Sequence, residues 1–357
     1  MKFLNIIFTL FGVVTVIFFL FQVLPGDPAR MMMDQNENKE QLKVIKEKYG
    51  FNEPIIKQYF YYLNDLSVIS LHSKDPKKIT FFSKNKYSAM ELMEFKYSFL
   101  VLKLPYLRES YQRRGVKVST IISNTFPNTI VLAVSAILIA TIIGLFFGII
   151  SALYKETLID NFIQLLSTFG MSMPSFLSSI IFAWIFGFLL ADYTNLNMTG
   201  SLFELDDFGN EYRLVLKNLI LPSIVLGIRP IAVISMMMRN SLIETLNKNY
   251  VITAYSKGLS KTKVILNHCI KNSLNPVITA LSGWFASLLA GSVFVEYIFG
   301  WNGLGREIVN SLNLLDVPVI IGSVIVISFS FIMINIFVDY IYKICLLYTS
   351  DAADDPT

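Results

Sequence analysis

The chain has 357 residues, of which 54% are hydrophobic and only 16% charged. Soluble domains carry about 25% charged residues, and several apolar runs here reach the roughly 20 residues that cross a bilayer. The balance excludes an ordinary soluble enzyme, and a formal net charge of +4 implies no nucleic-acid partner. It defines an integral membrane protein in contact with lipid. Two cysteines, Cys269 and Cys345, cannot build a disulfide framework, and no Cys/His spacing points to a metal site or a cofactor.

Residues 3–24 are apolar apart from Asn5, Thr9, Thr15 and Gln22. The run exceeds the about 7–15 residues of a signal-peptide core. It ends in Leu24-Pro25-Gly26-Asp27-Pro28 without a small-residue cleavage site. It predicts a retained first membrane helix, residues 1–24, with the N-terminus inside.

Residues 25–118 are polar, with 17 Lys and Arg against 11 Asp and Glu. Leu42, Ile45 and Tyr49 fall at helical spacing, and Gly50 stands as a C-cap, so 39–49 predicts a short helix. Asn52-Glu53-Pro54 predicts a turn. The aromatic stretch 55–66 (Tyr59, Phe60, Tyr61, Tyr62) predicts packing on the membrane face or on the first helix. Residues 66–116 mix lysines with Phe81, Phe82, Phe95 and Phe99, enough for a small subdomain without a chemical motif. The scattered charge reads as a solvated loop, or else as a surface for an acidic partner or lipid headgroups.

Further apolar runs follow at 127–153, 162–190, 219–238, 277–299 and 317–342. The second of these is interrupted by Gly170 and by Met173-Pro174-Ser175. The third holds Pro222, Arg229 and Pro230. With the first run they predict six transmembrane helices in an all-α integral membrane fold, the last five forming a core over 119–344. Residues 239–276 carry six Lys and Arg, whereas 191–216 and 300–316 carry one each. Short-loop charge bias therefore places 239–276 and both termini in the cytoplasm, and 25–118 outside as a large extracytoplasmic loop between helices 1 and 2. Residues 345–357 break abruptly in composition, resemble the read-through translation of a sequencing-library adapter, and are set aside as a non-native tail.

No catalytic constellation is legible. His72 and His268 fall on opposite sides of the predicted membrane, and no nucleotide-binding GxxxxGK[ST] loop is present. If a nucleotide powers this protein, the ATPase is another chain. Arg229 is charged within a span. It reads either as a snorkelling residue beside a helix break or as a pore-facing or interface residue. No midplane carboxylate suggests a proton-driven carrier.

The segment 249–276 is basic and moderately polar between strongly apolar runs. Such a segment is a solvated connector, a membrane-surface helix, or a docking element for a soluble partner. Its pattern predicts a helix over 249–257, a stop at Gly258, an N-cap at Ser260 and a second helix over 261–272, with Pro276 opening the next span.

That stretch resembles the EAA loop of ABC-importer permease subunits. The Glu-Ala-Ala positions read Thr253-Ala254-Tyr255, followed by Ser256-Lys257-Gly258-Leu259. Leu24-Pro25-Gly26-Asp27-Pro28, Met173-Pro174-Ser175-Phe176, the run Gly291-Ser292-Val293-Phe294-Val295-Glu296 and the Gly303-Leu304-Gly305-Arg306 motif resemble the dipeptide/oligopeptide/nickel permease family, in its oligopeptide B-type branch. The resemblance covers roughly 1–65 and 117–344 and leaves 66–116 as an insertion. It implies the ABC type I importer permease fold and a pore-forming, non-enzymatic subunit in a bacterial plasma (inner) membrane. The implied partners are a second permease in a heterodimer, two cytoplasmic ATP-binding subunits and an extracytoplasmic solute-binding protein. ATPase coupling would then fall to Tyr250, Thr253, Ala254, Tyr255, Lys257, Gly258, Leu259 and Lys261. The alternative is a membrane sensor or receptor whose extracytoplasmic domain, 25–118, binds a ligand.

Overall fold

The computed structural model describes residues 2–23, 27–33, 39–76, 78–83, 86–206, 209 and 211–350. Of the stretch 24–28, residues 24–26 lie outside the described residues, as do 351–357 of the tail. The chain divides into two compact units. One comprises residues 1–124 with 308–328, the other 125–307 with 329–357.

In the first unit, α1 (Lys2–Val23), α2 (Lys39–Tyr49) and α3 (Ile55–Leu66) precede a three-stranded antiparallel sheet. Its strands are β1 (Ile69–Ser73), β2 (Ala89–Glu94) and β3 (Ser98–Lys103), in the order β1-β3-β2. The all-α expectation is therefore corrected here. Gly50 closes α2 at φ +75, and its missing side chain also makes room for Ile79. Val14 and Phe18 of α1 pack with Tyr59 and Tyr62 of α3, and the Thr15 and Tyr59 hydroxyls lie 2.6 Å apart. Pro54 leads directly into α3, where its fixed φ suits a first turn.

Beneath the sheet lies a polar knot around Asp65. Its carboxylate accepts from Arg108 Nε at 2.9 Å and from the Tyr87 hydroxyl at 3.0 Å. Its backbone carbonyl accepts from Lys103 Nζ. Burial pushes Lys103 down to about 8. Burial also lowers His72 below its usual imidazole range, and raises the Tyr87 hydroxyl above its own.

The second unit is built from long apolar helices. These are α4 (Val118–Leu153), α5 (Leu158–Ser172), α6 (Ser175–Leu189), α7 (Lys217–Leu246), α8 (Asn249–Ser256) and α9 (Lys261–Gly291). They are followed by α10 (Val293–Phe299), α11 (Leu304–Asn313) and α12 (Val317–Ser350). The α4 and α12 helices each begin in the first unit, and α11 ends there. Gly144 and Gly148 of α4 let α7 approach closely, since a β-carbon at Gly148 would lie 2.6 Å from both Met238 Cβ and the Ser235 carbonyl oxygen. A hairpin of β4 (Phe203–Leu205) and β5 (Tyr212–Leu214) precedes α7.

Among the described residues, four helices are long and apolar enough to cross a membrane: α4, α7, α9 and α12 through Val338. The run expected as one span over 162–190 is a broken pair, α5 and α6, bent by 110° at Met173-Pro174. Pro174 carries no N–H to continue α5 and presets the first turn of α6. Ile6–Phe21 is a shorter apolar helix within α1. Pro276 does not open a span as expected. It lies inside α9, which runs unbroken from Lys261 and includes a π-turn over Ile265–Ile270.

Candidate functional site: the corner at Gly258

Backbone hydrogen bonds define the corner between α8 and α9. Gly258 N–H donates to the Tyr255 carbonyl at 2.9 Å, and Leu259 N–H donates to the Ala254 carbonyl at 3.3 Å. This is a Schellman pair, which requires a left-handed residue at its turning point. Gly258 supplies it at φ +80. A β-carbon at Gly258 would meet nothing within 4 Å, so the glycine answers a backbone demand and the corner faces open space. Ser260 takes the N-cap position of α9 in extended conformation, but its hydroxyl makes no capping bond.

The corner has two faces. Val251 and Ala254 of α8 join Val264 and Cys269 of α9 in a buried cluster. That cluster includes Ala140 and Ala152 of α4 and Met238 and Leu242 of α7. Leu259 packs against its edge. On the other face Tyr250, Thr253, Tyr255, Lys257 and Lys261 are exposed, together with Ile252 and Leu266 at 58% each. Of the eight residues expected at this site, five therefore face outward together with Gly258, while Ala254 points into the bundle and Leu259 lies at its edge. The small Ala254 side chain sets how closely α8 approaches. The Tyr250 hydroxyl accepts from Asn272 Nδ2 at 3.0 Å, linking α8 to α9.

An ion pair that the sequence did not reveal braces the same bundle. Arg239 of α7 donates to Asp160 of α5 through Nε at 2.7 Å and Nη2 at 2.6 Å. Asp160, buried in the first turn of α5, also accepts from Ser151 Oγ at 2.5 Å and from the Glu156 amide at 2.9 Å. A two-pronged guanidinium–carboxylate contact fixes orientation as well as distance. It ties α5 to α7, and Ser151 adds α4. Sequence reading counted Arg239 only as a basic residue. The available signal was a lone carboxylate in a first turn within an apolar run.

A second buried carboxylate organises the Gly-Leu-Gly-Arg motif. Glu296 of α10 accepts from Ser292 Oγ at 2.9 Å and from the amides of Gly305 and Arg306 at 2.7 and 3.1 Å. It caps the N-terminus of α11, where free N–H groups and the helix dipole favour negative charge. Both glycines are spatial requirements. A β-carbon at Gly305 would lie 2.6 Å from Val293 Cα, and one at Gly303 would lie 2.4 Å from Glu296 Oε2. The buried Trp301 donates its indole N–H to the Asn128 carbonyl at 3.0 Å.

Arg229 stands away from the corner. Its Nη2 donates to the Met173 carbonyl at 3.2 Å, at the break between α5 and α6, and its side chain is exposed.

A membrane-embedded helical bundle, a broken helix pair and a projecting corner between the short α8 and the long α9 define the class: a multi-pass helical membrane protein of permease type. Residues 144–345 match the family described as binding-protein-dependent transport system inner membrane component, and residues 1–77 match its N-terminal component. The chain belongs to that family, the permease subunits of ABC importers; it is a transporter subunit, and ATP hydrolysis resides in separate chains. The dipeptide transport system permease protein DppB of Alkalihalophilus pseudofirmus is 31% identical over 356 residues, covering 96% of each chain. The di/tripeptide permease DppB of Pseudomonas aeruginosa is 29% identical over 358 residues, covering 94% of this chain and 93% of that one. The glutathione permease GsiC of Escherichia coli K12 is 27% identical, covering 96% and 94%. Among solved structures, the inward-facing MetNI methionine ABC transporter aligns with a TM-score of 0.50 at 13% identity. It covers 63% of this chain and 96% of the other, a likeness of fold alone.

Proposed function

We propose that this chain is a pore-forming permease for di- or oligopeptides, paired with a second permease in a bacterial plasma membrane. The relatives named for dipeptide, di/tripeptide and glutathione transport support the substrate class. Six spans are α1, α4, the α5–α6 pair, α7, α9 and α12, with both termini and the Gly258 corner in the cytoplasm. Two ATP-binding subunits dock on the corner, and an extracytoplasmic solute-binding protein delivers the peptide. ATP closes the ATPase pair, and the outward residues Tyr250, Thr253, Tyr255, Lys257, Gly258 and Lys261 receive that motion. Ala254 and Leu259 pass it into the bundle as a rigid lever, and the spans switch from inward- to outward-facing.

The observation that carries this reading is the two-faced corner. An apolar and aromatic face stands open while the opposite face is locked into α4 and α7. Two substitutions test it in the membrane complex. Gly258→Val forces a β-branched residue into a left-handed conformation, and Tyr255→Asp alters only the outward face. Both should abolish co-purification of the ATPases while the chain still inserts and binds its partner permease. Undiminished recovery of the ATPases with both variants would show that the corner is not their dock.

A further inference from the structure

A cavity of about 170 Å³ lies in the second unit at the α5–α6 break. Its lining includes Ser175 and Ser178 of α6, Arg229 of α7, and Trp284 and Ser287 of α9. Ser178 and Ser287 donate to the Pro174 and Gly283 carbonyls of their own helices, which leaves Arg229 and Trp284 as the donors with capacity to spare. Arg229 spends one N–H on the Met173 carbonyl, and among the described residues no carboxylate pairs with it. The Trp284 indole N–H likewise has no acceptor among the described residues, and the α6 N-terminus that opens at Ser175 has no side-chain cap. A guanidinium, an indole N–H and uncapped helix amides are all donors, and the guanidinium is matched in geometry by a carboxylate. Charge held within a membrane bundle faces water, substrate or a partner group. The remaining wall is apolar, with Gly170 and Gly291 set among Met173, Val225, Leu226, Ile228 and Leu288, and the two glycines leave room for a side chain next to the bound anion.

We propose that this cavity is a carboxylate-binding station on the translocation path, in which Arg229 and Trp284 hold the terminal carboxylate of the passing peptide. The proposal rests on the peptide-permease reading given above and adds a point of selectivity inside the permease itself. Arg229 binds the anion, and its remaining bond to Met173 keeps the guanidinium at the helix break. Trp284 supplies the second donor and a flat apolar wall.

The test uses the assembled membrane complex of both permeases and ATPases, without the solute-binding protein. Retention of a radiolabelled dipeptide is measured by equilibrium dialysis, with acetate or acetamide as competitor. The expected result is that acetate displaces the peptide and acetamide does not. Arg229→Gln should weaken retention by about tenfold or more and Trp284→Phe by about threefold, with Arg229→Lys between wild type and Arg229→Gln. Trp284→Phe leaves the α5–α6 break untouched, so it remains informative if Arg229→Gln fails to assemble. No retention, equal competition by acetamide, or wild-type retention in Arg229→Gln and Trp284→Phe would each overturn the proposal. So would the finding that an acidic side chain of the second permease occupies the cavity. Uptake by the complete importer is measured alongside. Peptide uptake without retention discards only the carboxylate station, whereas carboxylate retention without peptide uptake discards the peptide reading.

Discussion

At Glu296, one carboxylate replaces the cap that α11 lacks locally, and the neighbouring glycines exist because that carboxylate and the α10 backbone occupy their side-chain space. The two glycines should therefore differ. Gly305→Ala pushes a methyl group against the Val293 backbone, which cannot yield, whereas Gly303→Ala meets the end of the Glu296 side chain. Thermal unfolding in detergent should show the larger loss for Gly305→Ala. Glu296→Gln should cost about 1–3 kcal/mol, because an amide cannot accept all of those bonds. Equal midpoints for the two glycine variants would contradict this packing. Gly258 was legible as a helix stop because its requirement is purely local. Glu296 was not, because its partners lie four, nine and ten residues away, across a bend that no periodicity encodes.

At the scale of the element, the Asp160–Arg239 brace makes an asymmetric prediction. Asp160 is buried, while Arg239 retains some exposure. Arg239→Met strands a buried anion and should cost about 3–5 kcal/mol; Asp160→Asn strands a partly solvated cation and should cost less. Combining the two should recover part of the loss, a coupling that a double-mutant cycle in thermal or denaturant unfolding reads directly. The sheet makes a second prediction, through pH. Lys103 is held at about 8 in the fold against 10.5 unfolded. The unfolded chain thus binds more protons between those values, and stability rises with pH across that window. Tyr87 and Tyr106, whose hydroxyls burial raises above the usual 10, reverse the trend above pH 10. Below pH 6.5 the lowered His72 removes stability as the unfolded imidazole charges. The stability of the first unit, followed through its tyrosine absorbance on unfolding, should rise from pH 8 to 10, and Lys103→Met should flatten that rise.

The same sheet shows why sequence patterning succeeded for helices and failed here. Long apolar runs announced α4, α7 and α12 because lipid-facing helices need no alternation. In β1, however, the exposed positions are Ile69 and Leu71, and the buried ones are Ser70, His72 and Ser73. The apolar face points out and the polar face is folded over Asp65, which inverts the rule that identifies half-buried strands. The start of α4 was missed for a related reason. Its first turns carry Ser119, Thr120, Ser123 and Asn124 ahead of Pro127, so the apolar run begins nine residues after the helix does.

For the whole molecule, the projecting corner and the buried braces are parts of one device. In the coupling proposed above, a bundle cross-tied by Asp160–Arg239 and the Gly144/Gly148 contact would move as a body when its corner is moved. The most direct measurement places the complete importer in liposomes, with both permeases, both ATPases and the solute-binding protein, and follows uptake of a labelled dipeptide. The account predicts accumulation that requires ATP and the solute-binding protein, and that vanishes with Gly258→Val although the chain remains inserted. Uptake that persists without ATP, or that survives Gly258→Val at the wild-type rate, would contradict it.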